Sequence, residues 1–387
     1  MIILAGCETV PPPPPVPYTG DPVVDNNAHL AVAPAKDRVL WEYRVAAAAL
    51  RRDMFDEAKA KLDSALAQAA ANYGNINSEA AKSRRLFRNE SDKPFIGEPY
   101  ERVMANFYRG IVYWRDGEPD NARALYRTAE LLDSDTVDKT YAGDYVLLDY
   151  LDGLVSAKFG GDGADALARA RTNAKQQGRT TPPNYNPKAN VMLFVEYGQG
   201  PTKYTGGEFG EELKFFTRPS RICSARIEID GRRVALPPFD DLNFQATTRG
   251  GRVMDHVLGN KAVFKQASDT VGDVALMGAV VAADRPGRNT DKTALALATV
   301  GIISKIASSA TTPQADIRAW DNLPQYLSFA ALELPPGEHS ATLEFLDAQG
   351  QPVRSLTQTV TLSVPPADPS VGGKPSDVVI FLSELKK

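Results

Sequence analysis

Residues 99–132, PYERVMANFYRGIVYWRDGEPDNARALYRTAELL, decide how the first half of this chain folds. Apolar residues recur at helical spacing on both sides of the turn sequence Asp116-Gly117, which predicts two antiparallel helices. Small and aromatic residues stand where the two helices would touch, namely Gly110, Tyr113, Ala122, Tyr126 and Ala129. A hairpin of this kind buries its apolar face only against a neighbour, so the stretch predicts a helical repeat.

Two further hairpins favour the same interpretation. Residues 38–66 align with the quoted stretch, Ala46 with Gly110 and Leu62 with Tyr126, and residues 141–176 follow with poorer spacing. Asp37 is the expected N-cap of the first helix. The spacing is typical of tetratricopeptide repeats, and we expect a tetratricopeptide-like helical domain over residues 37–177.

The first helix of each hairpin would line the concave side of such a repeat. The residues predicted to form a protein-binding groove there are Tyr43, Leu50, Arg51, Phe107, Ile111, Trp114 and Arg115. So much apolar surface is not left bare in water. Either it binds a partner helix or extended peptide, or another helix of the same chain covers it.

The pattern changes after a linker at residues 178–189. Period-two alternation and turn sequences such as Asp230-Gly231 predict strands joined by hairpins. We expect an antiparallel β-sandwich-like domain over residues 190–387, with a helical insertion at residues 253–310. Residues 293–309 of the insertion are apolar but too short for a membrane span, so they are expected to pack on the protein, with a membrane-lying or oligomer-forming element as the alternative. The predicted fold class is α+β multidomain.

Composition excludes several function classes. The chain has 387 residues and a net charge of −4, which argues against nucleic-acid binding. Two cysteines and three scattered histidines rule out a disulfide framework and argue against a multi-histidine metal site. The nucleophile-elbow, zinc-protease and phosphate-loop motifs are absent from the sequence. We therefore predict no catalytic residue, metal or cofactor, and no enzyme activity.

The first residues carry a lipoprotein motif. Leu4-Ala5-Gly6-Cys7 matches a bacterial lipobox, so residues 1–7 are expected to be the end of a signal peptide, with palmitate on Cys7. Residues 8–36 are interpreted as a Pro-rich tether, since the run PPPPPVP at residues 11–17 favours stiff polyproline II. Glu8, rather than aspartate, after the cysteine favours sorting to the outer membrane, facing the periplasm.

Three segments resemble a family of bacterial envelope lipoproteins: KPFIGEPYER at residues 93–102 with NFYRG at 106–110, VEYGQGP at 195–201, and DIRAWDNLPQYLSFAALELPPG at 316–337. Ala319 departs from the family, which more often has serine before the tryptophan. The resemblance implies a helical repeat half, a β half and an N-terminal lipid, and it brings no established activity. Such proteins are similar in setting to lipoproteins that activate peptidoglycan synthases.

Two functions follow as expectations. The first is a membrane-tethered scaffold that binds other envelope proteins through its helical repeats, in cell-wall synthesis or envelope assembly. The alternative is a structural subunit of a homo-oligomeric complex associated with the outer membrane. The sequence does not name a partner.

Lipidation of Cys7 is directly testable. We expect the precursor, expressed with its upstream codons, to incorporate a palmitate analogue, because the lipobox places the thiol where the acylating enzymes act. Cys7→Ala should abolish labelling, as measured by in-gel detection of the analogue. Label that persists in Cys7→Ala would contradict the lipobox interpretation.

Overall fold

The structure is a computed structural model that describes residues 16–76, 90–134, 143–207, 210, 212–248, 315–366 and 377–385. Cys7, most of the proline run and the insertion at residues 253–310 lie outside the described residues. Residues 178–189 contain no helix or strand.

The described helices are α1 (Pro22–Val32), α2 (Arg38–Arg51), α3 (Phe55–Ile76), α4 (Pro99–Arg115), α5 (Pro119–Asp133), α6 (Val146–Lys158), α7 (Ala164–Gln176) and α8 (Leu242–Thr247). The strands are β1 (Val191–Tyr197), β2 (Thr202–Gly206), β3 (Glu212–Phe216), β4 (Ser224–Ile229), β5 (Arg232–Leu236), β6 (Asp240–Asp241), β7 (Tyr326–Leu332), β8 (Gly337–Leu346), β9 (Gln358–Val364) and β10 (Val378–Ser383). The fold is α+β, with helices first and sheets second, which confirms the α+β part of the predicted class.

Helix α1 corrects the prediction of an irregular tether through residue 36. Asp21 caps it, because its carboxylate accepts hydrogen bonds from the backbone N–H groups of Val23 and Val24. Val23 and Leu30 are buried, and α1 packs on α2. The polar residues of this stretch suggested a tether, but its two buried apolar residues are enough to hold a short helix on a neighbour.

The strands form two four-stranded sheets and one two-stranded ribbon. The orders are β10-β1-β7-β6, β5-β4-β8-β9 and β2-β3. All seven residues of β1 are buried. Met192 and Phe194 belong to a core shared with the helices, whereas Leu193 and Val195 belong to a core shared with the second sheet. The first sheet is therefore the middle of three layers, and the helical and β halves share a core.

One strand pair differs from the expected antiparallel arrangement. β10 pairs with β1 in parallel, Val378 lying opposite Val191 and Leu382 opposite Val195. A parallel pair needs a long connection rather than a hairpin, and here most of the β half separates the two strands. The short sequence of β10 carries no signal for this, because the direction of pairing depends on the path of the chain between the strands.

Gly110 of α4 is in tight contact with α5. A Cβ atom at this position would lie 2.5 Å from Cε1 of Tyr126, closer than real Cβ contacts. Tyr126 is fully buried, so its ring has little room to move away. The absence of a side chain at residue 110 therefore sets how closely α4 and α5 approach.

We expect Gly110→Ala to lower the free energy of unfolding by about 1–3 kcal/mol, because the added methyl group overpacks this contact. Chemical denaturation should show the loss. The matched cycle uses Tyr126→Leu, which makes room, and the double variant. If Gly110→Ala lowers the free energy of unfolding as much in the Tyr126→Leu background as in wild type, overpacking against Tyr126 does not cause the loss of stability.

Candidate functional site

All but one of the residues predicted to form a binding groove are buried inside the protein. Tyr43, Leu50, Phe107, Ile111 and Trp114 all belong to the core that the helices share with the first sheet. The ring centroids of Phe107 and Trp114 lie 6.0 and 6.3 Å from that of Phe194 in β1. The prediction of an open groove is therefore wrong: the concave apolar face is covered, and by a β-sheet rather than by another helix.

The polar groups of Trp114 and Arg115 also have partners within the protein. Trp114 donates a hydrogen bond from Nε1 to Oδ2 of Asp377 over 2.8 Å. Arg115 is the exposed exception among the predicted groove residues, and its guanidinium carbon lies 4.0 Å from the ring centroid of Phe55. Arg115 thus lies on the outside of the first hairpins and not in a groove with Trp114.

Arg51, another predicted groove residue, forms a buried ion pair with β1. Its Nε donates to Oε1 of Glu196 over 2.5 Å, and the side chains are 5% and 1% exposed. Tyr108 donates from its hydroxyl to Oε2 of Glu196 over 2.5 Å, and Ser383 donates to Oε1 over 2.7 Å. Glu196 therefore joins α2, α4 and β10 to the middle strand of the fold.

The pKa shifts show how tightly this group is held. Burial lowers the pKa of Arg51, but the charge of Glu196 outweighs it and holds that pKa above its ordinary value. Burial, together with the charge of Glu196, raises the pKa of Tyr108 well above its ordinary value. Glu196 accepts from three donors and Tyr108 stays a neutral donor, so the arrangement positions elements rather than transferring protons.

A second junction uses residues of the segment 316–337. Glu101 of α4 is fully buried and accepts from the backbone N–H of Trp320 and from Nζ of Lys203, each over 2.7 Å. Arg318 bridges Asp316 and Asp37. Asp37 precedes α2 as predicted, but its carboxylate makes no cap bond and binds Arg318 instead.

A cleft of about 480 Å³ opens between the start of α1 and the loop after β3. Its walls include Pro22, Arg51, Arg218, Arg221 and Glu384. Burial raises the pKa of the Glu384 carboxyl, and its Oε2 accepts from the N–H of Gly198 over 2.7 Å. Sequence reasoning missed this cleft because its walls come from both ends and the middle of the chain.

Three arginines on the helical half converge on two aspartates. Nε of Arg123 and Nε of Arg127, both in α5, lie 2.5 and 3.0 Å from Oδ1 of Asp152. Nε of Arg169 in α7 lies 2.8 Å from Oδ1 of Asp149. We call these five residues the arginine cluster. Only the spacing of Arg123 and Arg127, one helical turn apart, was visible in the sequence.

The cluster buries its acids and exposes its bases. Arg127 and Arg169 are 60% and 54% exposed, while Asp152 and Asp149 are 8% and 5% exposed. Burial raises the pKa of Asp149 to about 6, against the charge of Arg169, so Asp149 is ionised at neutral pH. The outward guanidinium N–H groups suit an incoming carboxylate or phosphate.

Removing one member of the buried pair tests whether it joins the layers. Arg51→Ala should lower the free energy of unfolding by about 3–5 kcal/mol, because it leaves the charge of Glu196 buried and unpaired. The adjacent Arg52→Ala is the matched control, since Arg52 makes a half-exposed pair with Asp21 and should cost at most about 1 kcal/mol. Equal denaturation midpoints for the two variants would contradict the assignment.

Within the part of the chain that the structure describes, no group of three or more histidine, cysteine or acidic residues is arranged to hold a metal ion. None of the described helices has the length and apolarity of a membrane span. Comparisons of the chain with protein-family models, with curated proteins and with solved structures found no match.

Proposed function

We propose that this protein is a lipid-anchored scaffold of the bacterial envelope that docks an acidic segment of a partner protein on the arginine cluster. The observation that carries the proposal is the convergence of three partly exposed arginines on two buried aspartates. The docking surface is thus the outer face of α5 and α7, and the covered concave face is not part of it.

The buried aspartates hold the arginine side chains of this surface in fixed positions. Each arginine is held through Nε, and Nη2 of Arg169 also lies 3.9 Å from Oδ2 of Asp152. These contacts fix the guanidinium planes and leave other terminal N–H groups for a ligand. Side chains that are already ordered lose less entropy on binding. Arginine is also among the residues whose truncation costs interfaces the most binding energy. A partner carboxylate can accept two parallel hydrogen bonds from such a group.

The setting of the protein is part of the same proposal. The lipobox ending at Cys7 and the resemblance to envelope lipoproteins support an anchor in the outer membrane, facing the periplasm. The acidic overall charge supports protein rather than nucleic-acid partners. We propose no catalytic role and no cofactor. The buried carboxylate of Glu196 accepts hydrogen bonds from three side chains, which supports a structural role for it.

The finer architecture is also proposed here. We infer that the pairs α2–α3, α4–α5 and α6–α7 are tetratricopeptide-like hairpins; the stacking of each helix on the next supports this. We infer that the two four-stranded sheets form a sandwich, which is supported by the core that Leu193 of the first sheet shares with Ile227 and Phe345 of the second. The parallel β1–β10 pair makes its first sheet mixed.

A quantitative pull-down tests the docking surface. Arg127→Gln with Arg169→Gln should reduce recovery of a cross-linked partner from detergent-solubilised membranes at least tenfold, because two of the three guanidinium groups are lost. Mass spectrometry measures recovery. The matched control is Arg232→Gln with Arg233→Gln, two exposed arginines on β5, which should leave recovery unchanged.

Circular dichroism melts accompany the pull-down, because the substitutions also remove partners of Asp149 and Asp152. A second variant, Asp152→Asn, keeps every arginine but loosens the cluster and should weaken recovery less. Full recovery with the folded double variant would overturn the proposal. A defined ring of this chain alone in detergent would favour the homo-oligomeric subunit instead.

A further inference from the structure

The cleft carries two arginines that the fold itself does not use. Arg218 and Arg221 are exposed, and neither forms an ion pair with any other residue of the described ranges. The other charges at the cleft are committed: Arg51 binds Glu196, Asp321 binds Arg44, and Glu384 accepts from the Gly198 amide. Burial raises the pKa of the Glu384 carboxyl, against the opposing charge of Arg221.

Exposed aromatic rings stand beside these arginines. The guanidinium carbon of Arg218 lies 5.8 Å from the ring centroid of Phe216, which is 52% exposed. Tyr204 is exposed on the same face of the β2–β3 ribbon, because its partner Lys214 lies two residues before Phe216. Aromatic rings flanked by basic groups are the composition found where proteins meet the polar surface of a bilayer.

The path of the chain brings this face to the membrane. From Cys7 to Val16, where the described fold begins, is about nine residues, which span about 32 Å at most. The exit point is fixed, since Asp25 of α1 accepts hydrogen bonds from the N–H groups of Thr19 and Gly20. The next turn of chain, at Pro22 and Asn26, is a wall of the cleft. A lipid on Cys7 therefore holds the cleft close to the bilayer.

Resting on the lipid anchor of the proposed function, we propose that the cleft face docks on the membrane and that Arg218 and Arg221 bind the phosphate of an anionic phospholipid head group. Phe216 and Tyr204 rest at the head-group level beside it. The helices contact one another in chain order from α1 to α7, so this orientation leaves the arginine cluster of α5–α7 at the far end of the helical array, accessible to a partner.

Vesicle binding tests the inference on the full chain carrying Cys7→Ala, so that no lipid contributes. The protein should sediment with vesicles containing phosphatidylglycerol and not with pure phosphatidylcholine vesicles, and added salt should weaken binding. Arg218→Gln with Arg221→Gln should reduce the partition coefficient about 30-fold, taking about 1 kcal/mol for each basic residue at an anionic surface.

The control is Arg232→Gln with Arg354→Gln, two exposed arginines away from the cleft and likewise without ion pairs in the described part of the chain; it should bind like wild type. Equal binding to both vesicle types would overturn the inference, as would a folded Arg218/Arg221 variant that binds normally. Displacement by millimolar glycerol phosphate would also overturn it, since the cleft would then be a site for a soluble phosphate.

Failure here is distinguishable from failure of the proposed function. The vesicle assay uses protein without its lipid, whereas acylation is read by labelling of Cys7 and docking by the pull-down with Arg127 and Arg169 variants. If vesicle binding fails, the proposal of a lipid-anchored scaffold still holds, but the cleft face does not orient the protein on the membrane. If partner docking on the arginine cluster fails, the inference that the cleft face docks on the membrane still holds.

Discussion

The buried carboxylate of Glu196 is the constraint on which the arrangement of this protein depends. Burying a charge in a strand that is covered on both faces lowers the stability of the fold unless hydrogen-bond donors surround the charge. Here the donors come from α2, α4 and β10, and together they satisfy the carboxylate. The apolar contacts around it supply most of the driving force for burial. The ion pair between Arg51 and Glu196 links α2 to β1 within these contacts.

The three-layer arrangement explains why the apolar face of the helices forms no open groove. A concave face rich in aromatic residues needs a cover, and β1 supplies one with Phe194 among its even-numbered residues. Its odd-numbered residues meet the second sheet. Once both faces of the middle sheet are used, the polar outer surfaces remain for recognition.

Two charged surfaces remain exposed, the arginine cluster and the cleft, and they differ in how their acids and bases are arranged. In the arginine cluster, buried acids hold exposed bases, which suits a partner that brings its own carboxylates. In the cleft, the acids are engaged elsewhere and two arginines stand beside aromatic rings. The first is at the end of the helical array and the second lies next to the exit of the N-terminal segment. Their separation is what the proposed docking of one molecule on both a membrane and a partner protein requires.

The sequence by itself determined most of the elements: the helical hairpin around Asp116-Gly117, the strands after residue 190 other than β2, β3 and β6, and the α+β class follow from local periodicity and turn residues. It did not determine α1, whose polar stretch depends on packing with α2, or the parallel partner of β1, which depends on the path of the chain. It also placed Tyr43, Trp114 and Arg51 in a groove, because periodicity shows which face is apolar but not what covers it. Only the tertiary structure brings Arg218 beside Pro22 and Arg169 beside Asp149, since these contacts join residues from different elements and no local pattern encodes them.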